Sequence, residues 1–271
     1  MKKKIVNFVK KRFNKSLYEK LRFLFHLFSS PTNIINKLKN GPKQDILINE
    51  EIFDKLNFDI PQIKLLLKKN NYDYFDNHIS WHYHLFSGLS SKHKEIRILE
   101  IGTYLGEFTK FLSVIFPQSK ITTCDLPSND KIFRSTYDRN TKENLDNFIN
   151  RRNININKDN VEFKEINSLN LLNNFKENYF DLIWIDGDHT NPQVSLDIFQ
   201  SLRLVKIGGL VICDDIIKKK STTLDFSNEG YQTLKYLENT EKIIELFFLV
   251  KRTTTNYKEK KYISISKKIS N

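Results

Sequence analysis

Ile98-Leu99-Glu100-Ile101-Gly102-Thr103-Tyr104-Leu105-Gly106 is the stretch that decides how this chain folds. An apolar run rich in isoleucine and leucine meets two glycines and passes into the helix-forming run Glu107–Phe116. A strand that ends in a glycine turn and opens a helix presents backbone N–H groups to a ligand. Gly102 and Gly106 permit the tight turn and the close backbone approach this needs. A dinucleotide fingerprint would read G-x-G-x-x-G, and Tyr104 stands where its second glycine belongs. Glu100, two residues ahead of the first glycine, suits a ligand with positive charge, such as a sulfonium amino acid. Glu100, Gly102, Thr103, Tyr104 and Gly106 are therefore the first candidate binding residues, against the alternative of an ordinary glycine turn.

Working outward, strand-like and helix-like runs alternate after residue 95. The strand-like runs are Arg97–Ile101, Lys120–Asp125, Val161–Ile166, Phe180–Asp186 and Leu210–Asp214. Glu107–Phe116, Thr141–Arg152, Leu169–Lys176 and Pro192–Val205 fill the gaps with helical pattern. Such alternation predicts a parallel sheet with crossover helices. Ile243–Lys251 and Lys261–Lys267 lie close enough in sequence to form a closing antiparallel hairpin. The expected fold is α/β: a Rossmann-like, seven-stranded, mostly parallel sheet with an antiparallel C-terminal hairpin and an N-terminal helical extension. The Asn-rich stretch Arg151–Asn160 reads as a solvated loop.

The N-terminal third differs in character. Residues 1–43 hold twelve Lys or Arg against one acid, Glu19, while the rest of the chain is nearly neutral. Val6, Val9, Phe13, Leu17, Leu21, Leu24 and Phe28 recur at helical spacing between those cations. This predicts an amphipathic helix suited to an anionic membrane surface or a partner's groove, or one packed on its own domain. Residues 44–94 read as a further helical extension or cap, with Pro61 in a first helical turn. The ligand-binding domain then spans 95–271. Because the excess charge belongs to the appendage, a specific nucleic-acid-binding role is not expected. Cys124 and Cys213 read as buried strand residues of a reducing compartment. The chain has neither a secretory signal pattern nor an apolar run of the ~20 residues a membrane helix needs. A cytoplasmic location is expected, with peripheral contact at the inner membrane surface through residues 1–30.

Further candidates fall at strand ends, the edge where open α/β sheets bind ligands. Asp125 follows the glycine loop by about 20 residues, placed to accept ribose hydroxyls or simply to cap a turn. Asp186 ends Phe180–Asp186, and Asp214 and Asp215 end the neighbouring run. Three clustered carboxylates repel, and a divalent cation with oxygen ligands relieves that. His189, three residues past Asp186, suits a general base. His82 and His84 share no helix face and read as packing or lid residues.

Together these residues resemble class I S-adenosylmethionine (SAM)-dependent methyltransferases over about Glu95 to Lys268. Glu100, Gly102 and Gly106 match that family's first motif, Asp125 its ribose-binding acid, and Asn167-Ser168 the position that contacts adenine. Lys206-Ile207-Gly208-Gly209 looks like the turn into the fifth strand. Within the class, the stretch from Leu99 to Gly106 is similar to metal-dependent O-methyltransferases. The resemblance implies SAM as cofactor and methyl transfer to a hydroxyl. It also implies Asp186, Asp214 and Asp215 as ligands of a divalent cation such as Mg2+, and His189 as catalytic base beside Asp186. Two departures stand out: Asp215 replaces an asparagine and His189 a lysine. The wording around Asp186 is closer to bacterial enzymes acting on sugars and secondary metabolites, so a small-molecule, glycan or glycolipid hydroxyl is the expected acceptor. The rival readings are a catalytically silent methyltransferase fold docking through its basic helix, and a nicotinamide-dependent oxidoreductase. The missing third glycine and the terminal hairpin disfavour the latter.

Overall fold

The computed structural model describes residues 44–72, 80–219, 228–251 and 260–271. The basic amphipathic segment 1–43 lies outside the described residues. Three helices come first: α1 (44–55), α2 (Ile60–Lys69) and α3 (His82–Lys92). Asp59 caps α2 by accepting from the Gln62 amide at 3.0 Å, and Pro61 sits in its first turn, where a missing N–H costs nothing. Then follow β1 (Arg97–Ile101), α4 (Glu107–Ile115), β2 (Lys120–Asp125), α5 (Lys131–Ser135), α6 (Lys142–Ile156) and β3 (Val161–Glu165). A short turn of helix, Ser168–Asn170, leads to α7 (Leu171–Asn174) and β4 (Phe180–Ile185). Last come α8 (Gln193–Leu204), β5 (Val205–Ile217), α9 (Glu229–Tyr236), β6 (Ile244–Val250) and β7 (Lys261–Lys268).

The seven strands are ordered β3-β2-β1-β4-β5-β7-β6. The first five are parallel, and β7 lies antiparallel to both β5 and β6, as the alternation and closing hairpin predict. The chain winds from β1 outward to β3, then returns to β4 on the other side of β1. The crevice beyond the carboxyl ends of β1 and β4 is the topological switch point.

Apolar side chains cover both sheet faces. Phe53, Phe58, Ile63, Leu67, Leu85 and Phe86 of the N-terminal helices share one core with Phe111, Ile98 and Trp184, so the helical extension is part of the same packed body. Trp184 and Phe111 are fully buried, each stabilising the fold by roughly 1.5–3 kcal/mol. On the other face Ile183, Ile185, Ile198, Leu202, Val211 and Leu234 join β4 and β5 to α8 and α9.

Two expectations change. Arg151–Asn160 is not a solvated loop through its first half: α6 continues to Ile156, with Arg152 and Ile156 buried. Leu145, Phe148, Arg152 and Ile156 form a helical stripe, and its apolar pattern outweighs the run of asparagines. The Lys206-Ile207-Gly208-Gly209 turn lies inside β5 as an irregularity: pairing jumps from Phe180↔Val205 to Leu182↔Leu210 while Gly208 adopts φ +83°.

Candidate active site

The glycine loop is built by close backbone contact. Gly102 (φ +100°) donates to the Cys124 carbonyl at 2.8 Å, tying the loop to the end of β2. A Cβ on Gly102 would stand 2.3 Å from the Asp186 carbonyl oxygen, so only glycine fits between the ends of β1 and β4. Gly106 (φ +70°) opens α4, and Asn155 of α6 donates to the Leu105 carbonyl at 2.8 Å. Tyr104 takes φ +49° without being glycine, and its ring is 41% exposed beside Tyr137 and Phe148.

Glu100, a candidate cofactor-binding acid, is held from within the fold. Its side chain is buried, with Oε2 accepting from the hydroxyls of Thr109 and Thr123, and Thr123 Oγ1 lies 2.6 Å from Thr103 Oγ1. Burial pushes its pKa up to about 8, against the two threonine hydrogen bonds that lower it. Glu100 and Thr103 are thus joined through Thr123, and both side chains are buried. Tyr104 is the exposed residue of the loop, Gly102 is half-buried, and Gly106 is buried against α6.

Asp125 ends β2 beside that loop. Its Oδ2 accepts from the Tyr104 amide at 2.9 Å and its Oδ1 from the Leu126 amide at 2.8 Å. Burial raises its pKa in spite of these bonds and of Arg139. Each oxygen retains a lone pair for a further donor. Asn167 caps the short helix after β3 by accepting from the Leu169 amide at 2.9 Å. Ser168 Oγ accepts from Gln193 Nε2 at 2.8 Å, and the same Gln193 nitrogen reaches Asp197 Oδ1 at 2.8 Å. Asp197, buried with its pKa pushed up to about 6 mainly by burial, lies close behind Gly187. Sequence reasoning missed Gln193 and Asp197, which sit inside a helix; their i, i+4 spacing at the start of α8 was the available signal.

At the carboxyl end of β4, His189 Nε2 lies 3.3 Å from Asp186 Oδ1. Burial pulls the imidazole pKa down, but the Asp186 hydrogen bond and charge outweigh it and the net shift is upward. His189 Nδ1 is buried without a hydrogen-bond partner among the described residues. Asp186 itself is raised, by burial and then by Asp214. A small pocket beside the imidazole is bordered by Asp214, Asp215, Gly230 and Tyr231. His82 and His84 pack against aromatic rings, His82 with Phe108 and Trp184, His84 with Trp81.

β5 delivers the other acids through a bulge: its pairing with β7 skips from Cys213↔Ser264 to Ile216↔Tyr262, and Asp215 adopts φ +53°. Bulges of this kind re-aim side chains at the ends of strands. Asp214 and Asp215 both turn onto the ammonium of Lys251, which follows β6, and Asp215 also binds Lys261. Burial would lower the Lys251 pKa, but Asp214, Asp215 and Asp186 reverse the shift. For Asp215 the two lysines outweigh burial and hold its carboxyl well below the usual range.

Residues 99–216, spanning the glycine loop, Asp125 and all three strand-end aspartates, match the family model described as a methyltransferase domain. Over this stretch the chain is similar to methyltransferase domains, and its seven-stranded, mostly parallel sheet is the Rossmann-like fold of such domains. No curated protein matches the chain. Among solved structures, the O-methyltransferase TomG of Streptomyces achromogenes, involved in tomaymycin synthesis and determined with SAM, superposes with a TM-score of 0.50. It is 16% identical and covers 86% of this chain and 99% of its own. An O-methyltransferase from Bacillus cereus in complex with SAH is 20% identical, with a TM-score of 0.48 over 81% of this chain and 96% of its own. At these identities the likeness is one of fold.

The methyltransferase domain fits SAM where the loop, Asp125 and Ser168 border the switch point. Backbone approach at Gly102 and the free lone pairs of Asp125 are what an adenosyl ligand with ribose hydroxyls requires. A divalent cation fits less well. Among the described residues no group of three or more His, Cys, Asp or Glu side chains is arranged to hold a metal ion. The physical reason is visible: of the acids expected as ligands with Asp186, Asp215 meets Lys251 and Lys261 through its two oxygens and Asp214 meets Lys251 through Oδ2, while Asp214 Oδ1 is buried without a partner among the described residues.

Proposed function

We propose that this domain methylates a hydroxyl oxygen, with His189 as the general base. The observation that carries this reading is the Asp186–His189 pair at 3.3 Å, which leaves a buried, unpartnered Nδ1 on the imidazole. Asp186 orients the ring and favours its protonated form, as a base that must accept a proton requires. SAM, when bound, supplies an electrophilic methyl group on a sulfonium, with neutral S-adenosylhomocysteine (SAH) as the leaving group. The acceptor hydroxyl gives its proton to His189 as its oxygen forms the new bond to carbon and the carbon–sulfur bond breaks. Alignment of the reacting atoms is the domain's main contribution, an effect that can amount to roughly 7–11 kcal/mol of a barrier.

The glycine loop would border the methionine end of the cofactor, Asp125 would accept from the ribose hydroxyls, and the Ser168–Gln193–Asp197 chain would border the adenine side. The acceptor we favour is a small-molecule, glycan or glycolipid hydroxyl, with residues 1–30 bringing the enzyme to an anionic surface. No helix among the described residues is long and apolar enough to cross a membrane. Incubation of the full chain with SAM and a panel of sugar, glycolipid and phenolic hydroxyl acceptors, read as SAH release, tests the reading. Acceptor-dependent SAH that disappears in His189→Ala supports it; turnover confined to amine or thiol acceptors would overturn it.

A further inference from the structure

We infer that the Lys251 ammonium takes the place of a divalent cation at this site, so that the enzyme neutralises Asp214 and Asp215 with a resident side chain and holds no metal there. The inference takes the methyltransferase reading of this edge as its starting point.

Three observations converge. First, the ammonium is the group on which Asp214 Oδ2 and Asp215 Oδ1 both close, the position a cation bridging two strand-end carboxylates would hold. Lys261 engages the second oxygen of Asp215, so each oxygen of that carboxylate faces an ammonium, and the one carboxylate oxygen of the pair without a partner among the described residues is Asp214 Oδ1. A hard cation such as Mg2+ demands near-octahedral oxygen ligands at about 2.0–2.1 Å and would have to expel one ammonium and confront the other. Second, the Lys251 side chain is only 10% exposed, which sets it apart from a surface lysine that swings away at little cost.

Third, its backbone is pinned from both sides by the N-terminal helices. Asn49 of α1 accepts from the Val250 amide at 2.7 Å and donates to the Val250 carbonyl at 2.9 Å. Trp81, at the start of α3, donates to the Lys251 carbonyl at 2.9 Å, and the Lys251 amide donates to the Lys261 carbonyl at 3.0 Å. The helical extension therefore does more than cover the sheet: it fixes the edge-strand residue that carries the charge. Two ammonium groups set against three carboxylates leave the edge net negative when His189 is neutral, a sign that suits a sulfonium ligand.

Lys251 is a positioning residue here, and metal uptake separates its role from a merely structural one. Chelator-treated full-length wild-type and Lys251→Gln proteins are titrated calorimetrically with MnCl2, with and without SAH, and melted in EDTA and in Mn2+. The expected wild type shows no Mn2+ site and the same melting temperature in both media. Lys251→Gln is expected to melt lower than wild type and to recover part of that loss in Mn2+ and none in sodium. One Mn2+ bound per wild-type chain with micromolar affinity would overturn the inference, and so would a Lys251→Gln protein that melts like wild type. Should Lys251→Gln fail to fold, Lys251→Arg, which keeps the charge, is expected to match the wild type's indifference to Mn2+. SAH binding is read in the same titrations: a wild type that binds neither SAH nor Mn2+ removes the methyltransferase reading and leaves this inference intact.

Discussion

Gly102 and Asp186 meet backbone to backbone: a Cβ on the glycine would lie 2.3 Å from the aspartate's carbonyl oxygen and 2.7 Å from its carbonyl carbon. The Asp186 amide donates to the Ile101 carbonyl at 2.8 Å in the same contact. The loop proposed to receive the cofactor and the strand end that carries the Asp186–His189 pair thus meet in a single backbone junction.

Gly102→Ala is therefore expected to damage folding as well as ligand binding. The colliding atoms are backbone and cannot rotate away, and φ +100° is itself unfavourable for alanine. We expect a loss of roughly 3 kcal/mol or more, measured by denaturant unfolding. Wild-type stability in this variant would refute the contact.

With His189 as the proposed general base, the pH dependence of activity follows. A general base works only when unprotonated, and the Asp186 contact raises the imidazole pKa above its ordinary 6.5. Activity should therefore fall as pH drops through a value above 6.5, and His189→Ala should lower kcat by about 10²–10⁴-fold with little change in KM. Asp186→Asn removes the raising partner and should move the acidic limb to lower pH. A profile of kcat/KM against pH with its limb at or below 6.5 in the wild type would contradict the assignment.

The parts of this site that repeat along a strand were legible in the sequence. Arg97–Ile101 and Lys120–Asp125 have the predicted bounds, because apolar runs ended by Gly102 and by Asp125-Leu126-Pro127 leave little freedom. Asp125, Asp186, His189, Asp214 and Asp215 all reach the carboxyl edge for the same reason. What a linear reading could not supply was which side chains meet across the sheet. Lys251 lies more than thirty positions from Asp214 and reaches it only because β7 is inserted between β5 and β6 and a bulge turns Asp215. The position of Glu100 beside Gly102 is legible in the sequence, but its bonds to Thr109 and Thr123 are not, since those partners lie 9 and 23 residues away. Asn155 and Arg152 were hidden in a run whose composition reads as solvent-facing and whose periodicity does not.

Glu100 provides a stability test that needs no substrate. Its carboxyl pKa is pushed up to about 8 in the fold from an ordinary 4.5. The native state then holds a proton that the unfolded chain gives up, so this group's contribution is full below 4.5 and is lost as pH rises through 8. Glu100→Gln cannot titrate. The melting temperature of the variant relative to wild type should climb between these limits and then level off. Parallel curves across that range would show that Glu100 ionises freely.

Asn49 tests the clamp on the edge strand. The side chain is fully buried and satisfies both the amide and the carbonyl of Val250. Asn49→Ala leaves those backbone groups unpaired, at a cost of about 2 kcal/mol. That corresponds to a fall in melting temperature of roughly 4–8 °C. Scanning calorimetry showing an unchanged transition would contradict the contact.

The central claim, a SAM site at the carboxyl edge of β1 and β2, is tested most directly by calorimetric titration of SAM into the wild-type and Asp125→Ala proteins. The account predicts one SAM per wild-type chain. It further predicts at least a tenfold weaker affinity in Asp125→Ala, about 1.4 kcal/mol or more, with the unliganded variant melting somewhat below wild type because the Tyr104 and Leu126 amides lose their acceptor. Absence of binding in the wild type, or an Asp125→Ala protein that binds SAM as tightly as wild type, would contradict it.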